Sequence, residues 1–455
     1  MKSILRYIHR NRDRYITELN EFLTIPSISN NSENRGDMQR CAVFLRNQLE
    51  RIGMQKATVF PTQGHPIVYG EWLGNPGKPT VLFYGHYDVQ PADPLELWIS
   101  GPFQPTIRDG ELYARGSVDD KGQVWMNLKA AEAHLEAQGT LPVNLKLLIE
   151  GEEEIGSSHL DSFIQNHQEL LRADVALISD TPMFDRGIPS ICYGLRGLAY
   201  FQLNLKGSNQ DLHSGSFGGT VINPNFALAQ IIGSLKNAEG RILIPGFYDD
   251  VAPMGNQEKK ELSRLPFDQE RFCREVGAPQ LFGEIGYGTL ERIWSRPTLE
   301  VNGLCGGFTG KGAKTVIPAA AMAKISMRLV PNQDPDRIAH LFEQYLETIT
   351  PRSVELTLTR MHGGKPWLAS IKHPAIRAAS HAFEKGFGTT PVFVREGGSI
   401  PVVTTLAEIL GLSTVLIGVG LPNDNTHAPN ERLNLDNFQN GIVSMAHFFD
   451  QFSKN

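Results

Sequence analysis

The sequence predicts an α/β protein: a larger domain with a mostly parallel mixed sheet flanked by helices, and a smaller α/β domain inserted into it. Three observations predict this. Short apolar runs alternate with helical periodicity through the first 190 residues, as buried strands and crossover helices do. The middle of the chain changes texture, with strands that alternate apolar and polar residues. Near the carboxyl end the first texture returns, which is the order an inserted domain produces. The boundaries are read at residues 1–194, 195–370 and 371–455.

The elements follow in order. Ile4, Ile8, Tyr15 and Leu19 form a helical stripe whose intervening charges do not suit a secretory leader. Residues 38–52 read as a helix that stops at Gly53. Val81–Tyr84 reads as a buried strand ending at Gly85. Residues 120–138 read as a helix, with Asp119 or Asp120 to cap it and Gly139 to end it. Val143–Ile149 reads as strand, Leu160–Leu171 as helix and Val175–Ile178 as strand. In the middle, Tyr200–Leu205, Ala323–Val330 and Ser353–Thr359 read as strands, and Ile222–Leu235 and Pro335–Leu346 as helices. Residues 240–312, rich in Gly, Pro and charge, receive no assignment. The Gly-rich stretch 303–315 is not a phosphate loop, because Cys305 and Gly312 stand where Gly and Ser/Thr are needed. Thr404–Leu410 reads as helix and Thr414–Val419 as strand.

Composition narrows the class. The 455 residues carry 43 Lys+Arg against 49 Asp+Glu, a net charge of −6, and 41% are apolar. A disordered chain is excluded by that apolar content. Net acidity without a dense basic cluster argues against a nucleic-acid partner. No apolar run is long enough for a membrane span. Cys41, Cys192, Cys273 and Cys305 are widely spaced and form no CxxC, so no disulfide framework is expected. A cytoplasmic enzyme with free thiols fits these facts.

The chemistry gathers after the strands. His86 and Asp88 follow the first, Glu152, Glu153 and Glu154 the second, and Asp180 the third. Asp424 and His427 follow the last, and Asp119–Asp120 follow a segment ending in Gly116. Open α/β sheets bind ligands beyond the carboxyl ends of their strands. Singly, each has a plain alternative: Asp119–Asp120 could cap a helix, and Glu152–Glu154 could be a solvated run. Jointly, adjacent carboxylates at a buried strand end repel one another unless a cation or solvent relieves them. Two His and several carboxylates, without thiolates, make the ligand mix of catalytic zinc or manganese. One bridging carboxylate would make it a two-metal site.

Ten motifs then recur in order: GHYDVQP (85–91), GSVDDKG (116–122), EGEEEIGSS (150–158), LISDTP (177–182), DLHSGSFGG (211–219), GAKTVIP (312–318), MRLVPN (327–332), GGKPW (363–367), REGGSIP (395–401) and THAPNERLN (426–434). Together they resemble the di-metal peptidase family of aminoacylase, glutamate carboxypeptidase and acetylornithine deacetylase. Within it they are most similar to the cytosolic non-specific dipeptidase and carnosinase branch. The resemblance covers about residues 15–450. It makes the larger domain catalytic and the inserted one a lid and dimerisation domain.

The resemblance implies two divalent metal ions per subunit, zinc or manganese. His86 and Asp180 match the ligands of one metal, Glu154 and His427 those of the other, and Asp119 the bridge. Its peptide bond to Asp120 is typically cis in the family. Glu153 matches the general base and acid, in a register fixed by Gly156–Ser157, which leaves Glu152 a supporting or solvated role. Asp88 matches the carboxylate that orients His86. The implied reaction is hydrolysis of a dipeptide by a metal-bridging hydroxide. Alternatives are removal of an N-acyl group from amino acids and carboxypeptidase action on short peptides. Arg328 matches the clamp on the substrate carboxylate, with Thr315 and Ser399 in support. Gly397–Gly398 leaves backbone N–H groups free to approach an anion. His362 matches a further substrate-facing imidazole. His213 matches an imidazole that reaches across a homodimer to the oxyanion. By themselves, His213 reads as a turn residue and Arg328 as a solvent-facing strand residue.

Overall fold

The computed structural model describes residues 1–454; Asn455, which ends the last predicted segment, lies outside the described residues. The chain divides into two compact units. The first joins Met1–Tyr193, Ala369–Val394 and the residues from Thr405 onward. The second joins Gly194–Leu368 and Arg395–Thr404.

The first unit is built on strands in the order Lys56–Phe60, Ile67–Trp72, Asn144–Glu150, Thr80–His86, Val175–Ser179 and Thr414–Ile417. The last four run parallel; Ile67–Trp72 adds antiparallel to Asn144–Glu150, and Lys56–Phe60 antiparallel to Ile67–Trp72. Parallel strands are covered on both faces, which is why they read as unbroken apolar runs. Every residue of Val175–Ser179 and Thr414–Ile417 is buried. A parallel set also brings its carboxyl ends to one rim. Glu150, His86, Ser179 and Ile417 therefore end together.

The helix Lys121–Gln138 is buried from Lys121 through His134. Two buried lysines on it need partners, because an unpaired buried charge is costly. Lys121 Nζ donates to the carbonyls of Ile25 (2.6 Å) and Phe22 (3.2 Å). Lys129 Nζ lies 2.7 Å from Glu18 and 2.6 Å from Glu132. Lys121 and the Lys129–Glu18 pair tie this helix to the amino-terminal helices. Asp120 occupies the cap position, yet its side chain makes no capping bond. The carboxyl-terminal helix Leu435–Phe452 is capped by Asn434, which accepts from the N–H groups of Asp436 and Asn437.

Three expectations change in detail. The amino-terminal stripe is two helices, Lys2–Arg10 and Arg12–Leu23, although its four apolar residues are all buried. The break falls at Asn11, whose side-chain amide bonds back to the Tyr7 carbonyl at 2.8 Å and competes with the helix. Leu160–Leu171 likewise divides at His167. The unassigned stretch 240–312 contains short helices at Asn256–Leu262, Gln269–Val276 and Thr289–Trp294, then the strand Thr298–Gly306.

The second unit has an antiparallel sheet in the order Thr298–Gly306, Ala320–Leu329, Gly197–Lys206 and Glu355–Gly364. Its two central strands alternate between buried and more exposed residues. The helices Pro224–Gly233 and Pro335–Ile349 cover the buried face and share its apolar core. No described helix is long and apolar enough to cross a membrane. No disulfide joins the four cysteines.

The parallel strands hold the rim in place, so a cavity beneath it should cost stability directly. Leu177→Ala, at a fully buried position of the strand Val175–Ser179, is expected to destabilise by about 2–5 kcal/mol. Denaturant titration should show a lower midpoint with an unchanged slope.

Candidate metal centre

Five segments of the first unit meet at the rim. His86 ends the strand Thr80–His86, and Asp119 precedes the buried helix. Glu153 and Glu154 lie in the turn after Asn144–Glu150, Asp180 follows Val175–Ser179, and His427 sits in the loop after Thr414–Ile417. Two triads result, His86–Asp119–Asp180 and Asp119–Glu154–His427, each with its ligand atoms within 4.8 Å of one another. Asp119 belongs to both. Its Oδ1 lies 3.1 Å from His86 Nε2, and its Oδ2 lies 2.8 Å from His427 Nε2. His427 Nε2 is also 3.2 Å from Glu154 Oε2. The Asp119–Asp120 peptide is cis. His427 has a positive φ of 61°, uncommon for a residue with a side chain and characteristic of functional loops.

The charge balance identifies what the rim can hold. Among the described residues, no Lys or Arg lies within ion-pair distance of Asp88, Asp119, Asp120, Glu153, Glu154 or Asp180. Burial and the Asp119 charge hold Asp180 well above the usual carboxylate range, and burial with Asp180 does the same to Asp120. Burial, with Asp119, Glu154 and Asp88 adding, pushes Glu153 up to about 7, against the opposing pull of His86. Hydrogen bonds to Asp119 and Glu154 push His427 up to about 10. His86 Nε2 is buried and faces Asp119 without an aligned hydrogen bond. Imidazole and carboxylate donors that converge without basic partners fit two divalent cations.

Two buried carboxylates hold the ligand turns. Asp88 accepts from the N–H groups of Glu153 (3.2 Å) and Glu154 (3.1 Å), while His86 Nδ1 lies 3.1 Å from its carbonyl and 3.4 Å from its Oδ1. Asp88 therefore serves His86 and the glutamate turn at once. The second, Glu431, is one that sequence patterning does not single out. Its Oε1 accepts from the N–H groups of Val118 (3.0 Å) and Asp119 (3.1 Å), and its Oε2 from Gly116 N (2.9 Å) and Arg115 Nη1 (2.8 Å). It is completely buried, and burial pushes it up to about 7 despite Arg115. Its place four residues after His427 is the available signal.

Glu152 is not solvated; it is 5% exposed. Its oxygens accept from His65 N at 3.0 Å and pair with His159 Nδ1 at 2.8 Å, closing the loop before Pro66 over the turn. Gln90 Nε2 donates to Glu154 Oε2 at 2.8 Å.

The remaining predicted residues lie in the second unit and fall into three places. His213 and Thr315 are neighbours: the Leu212–His213 strand pairs with Val316–Ile317, and Ser214 N donates to the Thr315 carbonyl at 3.0 Å. Exposed His213 accepts from Gly215 N through Nδ1 at 3.0 Å, which leaves Nε2 free of that turn. Arg328 Nη1 donates to Ser399 Oγ at 3.2 Å. His362 is exposed and packs edge-on against Tyr200.

Two outcomes follow for the metal-free protein. With its pKa pushed up to about 10 by Asp119 and Glu154, His427 must release a proton to bind a cation at neutral pH. Affinity for zinc or manganese should therefore rise with pH, by roughly tenfold per pH unit for each proton released. Calorimetric titrations in buffers of different ionisation heat count those protons. Glu431→Gln keeps only one accepting oxygen for four donors. It should weaken metal binding roughly 10- to 100-fold, measured against a competing chelator.

Comparisons with known proteins identify the family. The model of Peptidase family M20/M25/M40 matches residues 82–451. The chain is 36% identical to the Cys-Gly metallodipeptidase dug1 of Schizosaccharomyces pombe, over 97% of this chain and 96% of the relative. It is 33% identical to the human Beta-Ala-His dipeptidase, over 99% and 92%. Among solved structures, it matches the metallo-carboxypeptidase Sso-CP2 of Sulfolobus solfataricus at 35% identity and a TM-score of 0.87, covering 97% of this chain and 99% of that one. The fold, the converging ligands and these matches have one conclusion: the chain belongs to Peptidase family M20/M25/M40, a family of metallopeptidases.

Proposed function

We propose that this protein hydrolyses dipeptides, with two divalent cations held by His86, Asp119, Asp180, Glu154 and His427. The observation that carries the reading is Asp119, whose two oxygens face imidazoles of two different triads. The Cys-Gly and Beta-Ala-His dipeptidases, similar over nearly the whole chain, support the substrate class. Zinc and manganese both suit these ligands.

Two bound cations would lower the pKa of a shared water and polarise the scissile carbonyl. The chain's own residues supply the rest. Glu153, held near 7, is poised to take a proton at neutral pH and return it to the departing amine. Asp88 fixes the backbone of Glu153 and Glu154, so base and ligand keep one spacing. Arg328, steadied by Ser399, takes the substrate's terminal carboxylate, with Thr315 and His362 as further contacts.

His213 is proposed to act on the oxyanion of the second subunit of a homodimer. Support comes from the second unit's outer surface. The edge strand Thr298–Gly306 exposes Leu304 (63%), and the helix Pro224–Gly233 exposes Phe226 (71%). An open strand edge beside apolar side chains is a ready pairing surface. A cytoplasmic location remains part of the proposal. A second reading, carboxypeptidase action on short peptides, is favoured by the similarity to the Sulfolobus structure.

A panel of dipeptides, tripeptides and N-acetyl amino acids with the metal-loaded protein tests the assignment. Dipeptides are expected to be cleaved fastest; cleavage of N-acyl amino acids alone would overturn it. Glu153→Gln should retain both metals and lose roughly 10²- to 10⁴-fold in kcat. His213→Asn should lower kcat by about 10²- to 10³-fold without changing metal content. Normal turnover in that variant would remove His213 from the mechanism.

A further inference from the structure

The second unit contains a cavity of about 510 Å³, lined among others by Arg196, Lys236, Phe282, Arg292 and Arg328. Most of its charges are already engaged. Lys236 pairs with Glu300 at 3.2 Å. Arg296, also on its wall, pairs through two nitrogens with Glu284. Arg292 Nε donates to the Glu284 carbonyl at 3.0 Å. Arg196 and Arg328 differ. Among the described residues, neither has a carboxylate within ion-pair distance.

Arg196 is held in place by its surroundings. Its Nε donates to the Gly397 carbonyl at 3.1 Å, and its own carbonyl accepts from Ser399 Oγ at 2.5 Å. Ser399 in turn accepts from Arg328. One serine thus couples the two arginines. Gly397 makes the arrangement possible, because a Cβ there would sit 2.8 Å from Arg196 Nη2. Arg196 Nη1 is buried and has no hydrogen-bond partner among the described residues. Burial, with the Arg328 charge adding, pushes this guanidinium down to about 10. The acids whose fields oppose this are Glu300, committed to Lys236, and Glu396, itself pushed up to about 7 by burial.

Two partly buried like charges with an unmet donor are costly unless an anion joins them. A carboxylate offers one oxygen to each guanidinium. We propose that Arg196 is a second arm of the carboxylate clamp, binding the free terminal carboxylate of the substrate together with Arg328. The proposal rests on the exopeptidase reading above and deepens it. Recognition by two guanidiniums favours the free carboxylate over its neutral amide.

The test compares a neutral dipeptide with its carboxyl-terminal amide on the metal-loaded protein. Arg196→Gln is expected to raise KM for the free acid about 10- to 100-fold, with kcat within about threefold and KM for the amide unchanged. Arg196→Lys, which keeps the charge but loses the fork, should fall between the two. An unchanged KM for the acid, or an equal rise for acid and amide, overturns the proposal. Thermal unfolding and metal content check that each variant is folded; should the Gln variant not fold, the Lys variant decides by the same acid-to-amide comparison. N-acetyl amino acids carry the same carboxylate. If the protein cleaves only those, the dipeptidase reading fails, while an N-acetyl amino acid and its amide still decide Arg196. If it cleaves neither class, calorimetric binding of the acid and the amide to wild type and variant decides the role of Arg196 without turnover.

Discussion

The first unit is organised around carboxylates that, among the described residues, have no Lys or Arg partner. Asp119 stands at the centre, shared between two imidazoles, and Glu153, Glu154, Asp180, Asp88 and Asp120 crowd around it. Like charges a few ångströms apart in a buried place cannot all remain ionised unless something positive joins them. Without a cation, protons would play that part: hydrogen bonds to Asp119 and Glu154 push the His427 pKa up, and burial pushes Asp180 and Asp120 up. A divalent cation does the same work with more charge and fixed geometry. The protonated rim and the metal-loaded rim are two answers to one electrostatic problem.

The brackets around the rim sharpen that problem. Asp88 and Glu431 each bind two or more backbone N–H groups, and each is fully buried. Amide brackets could have been made by Asn or Gln, at the cost of half their accepting oxygens. Carboxylates hold the turns more firmly and bring further negative charge. Arg115 offsets the charge of Glu431. In Asp88, which has no such partner among the described residues, rigidity and cation demand are therefore supplied by one group.

Much of this is legible in the sequence, for a physical reason. A buried parallel strand must be apolar and must stop, and the residues after it face the rim. His86, Glu153–Glu154, Asp180 and His427 can each be read from that rule, and their order completes the family resemblance. The features that stay hidden depend on contacts distant in sequence. Glu431 reaches Val118 across 313 residues, so nothing near it announces its burial. Glu152 is legible only as a charge in a run, because the backbone that covers it belongs to His65. Asn11 breaks the amino-terminal stripe through one side-chain bond that apolar periodicity does not register.

The second unit poses the opposite electrostatic problem. Among the described residues, Arg328 on its sheet and Arg196 just before the strand Gly197–Lys206 have no carboxylate within ion-pair distance, whereas the carboxylates at the first unit's rim have no Lys or Arg partner. From sequence, REGGSIP reads as a backbone nest for an anion. The structure assigns its first glycine another task, since Gly397 leaves the room that the Arg196 side chain occupies. Its serine then fixes Arg328. The motif also positions the cationic pair. A guanidinium pair distinguishes a carboxylate from an amide by charge, which a cradle of N–H groups does only weakly, since both ligands accept hydrogen bonds. Selection for a free chain terminus therefore follows more naturally from Arg196 and Arg328 than from backbone geometry.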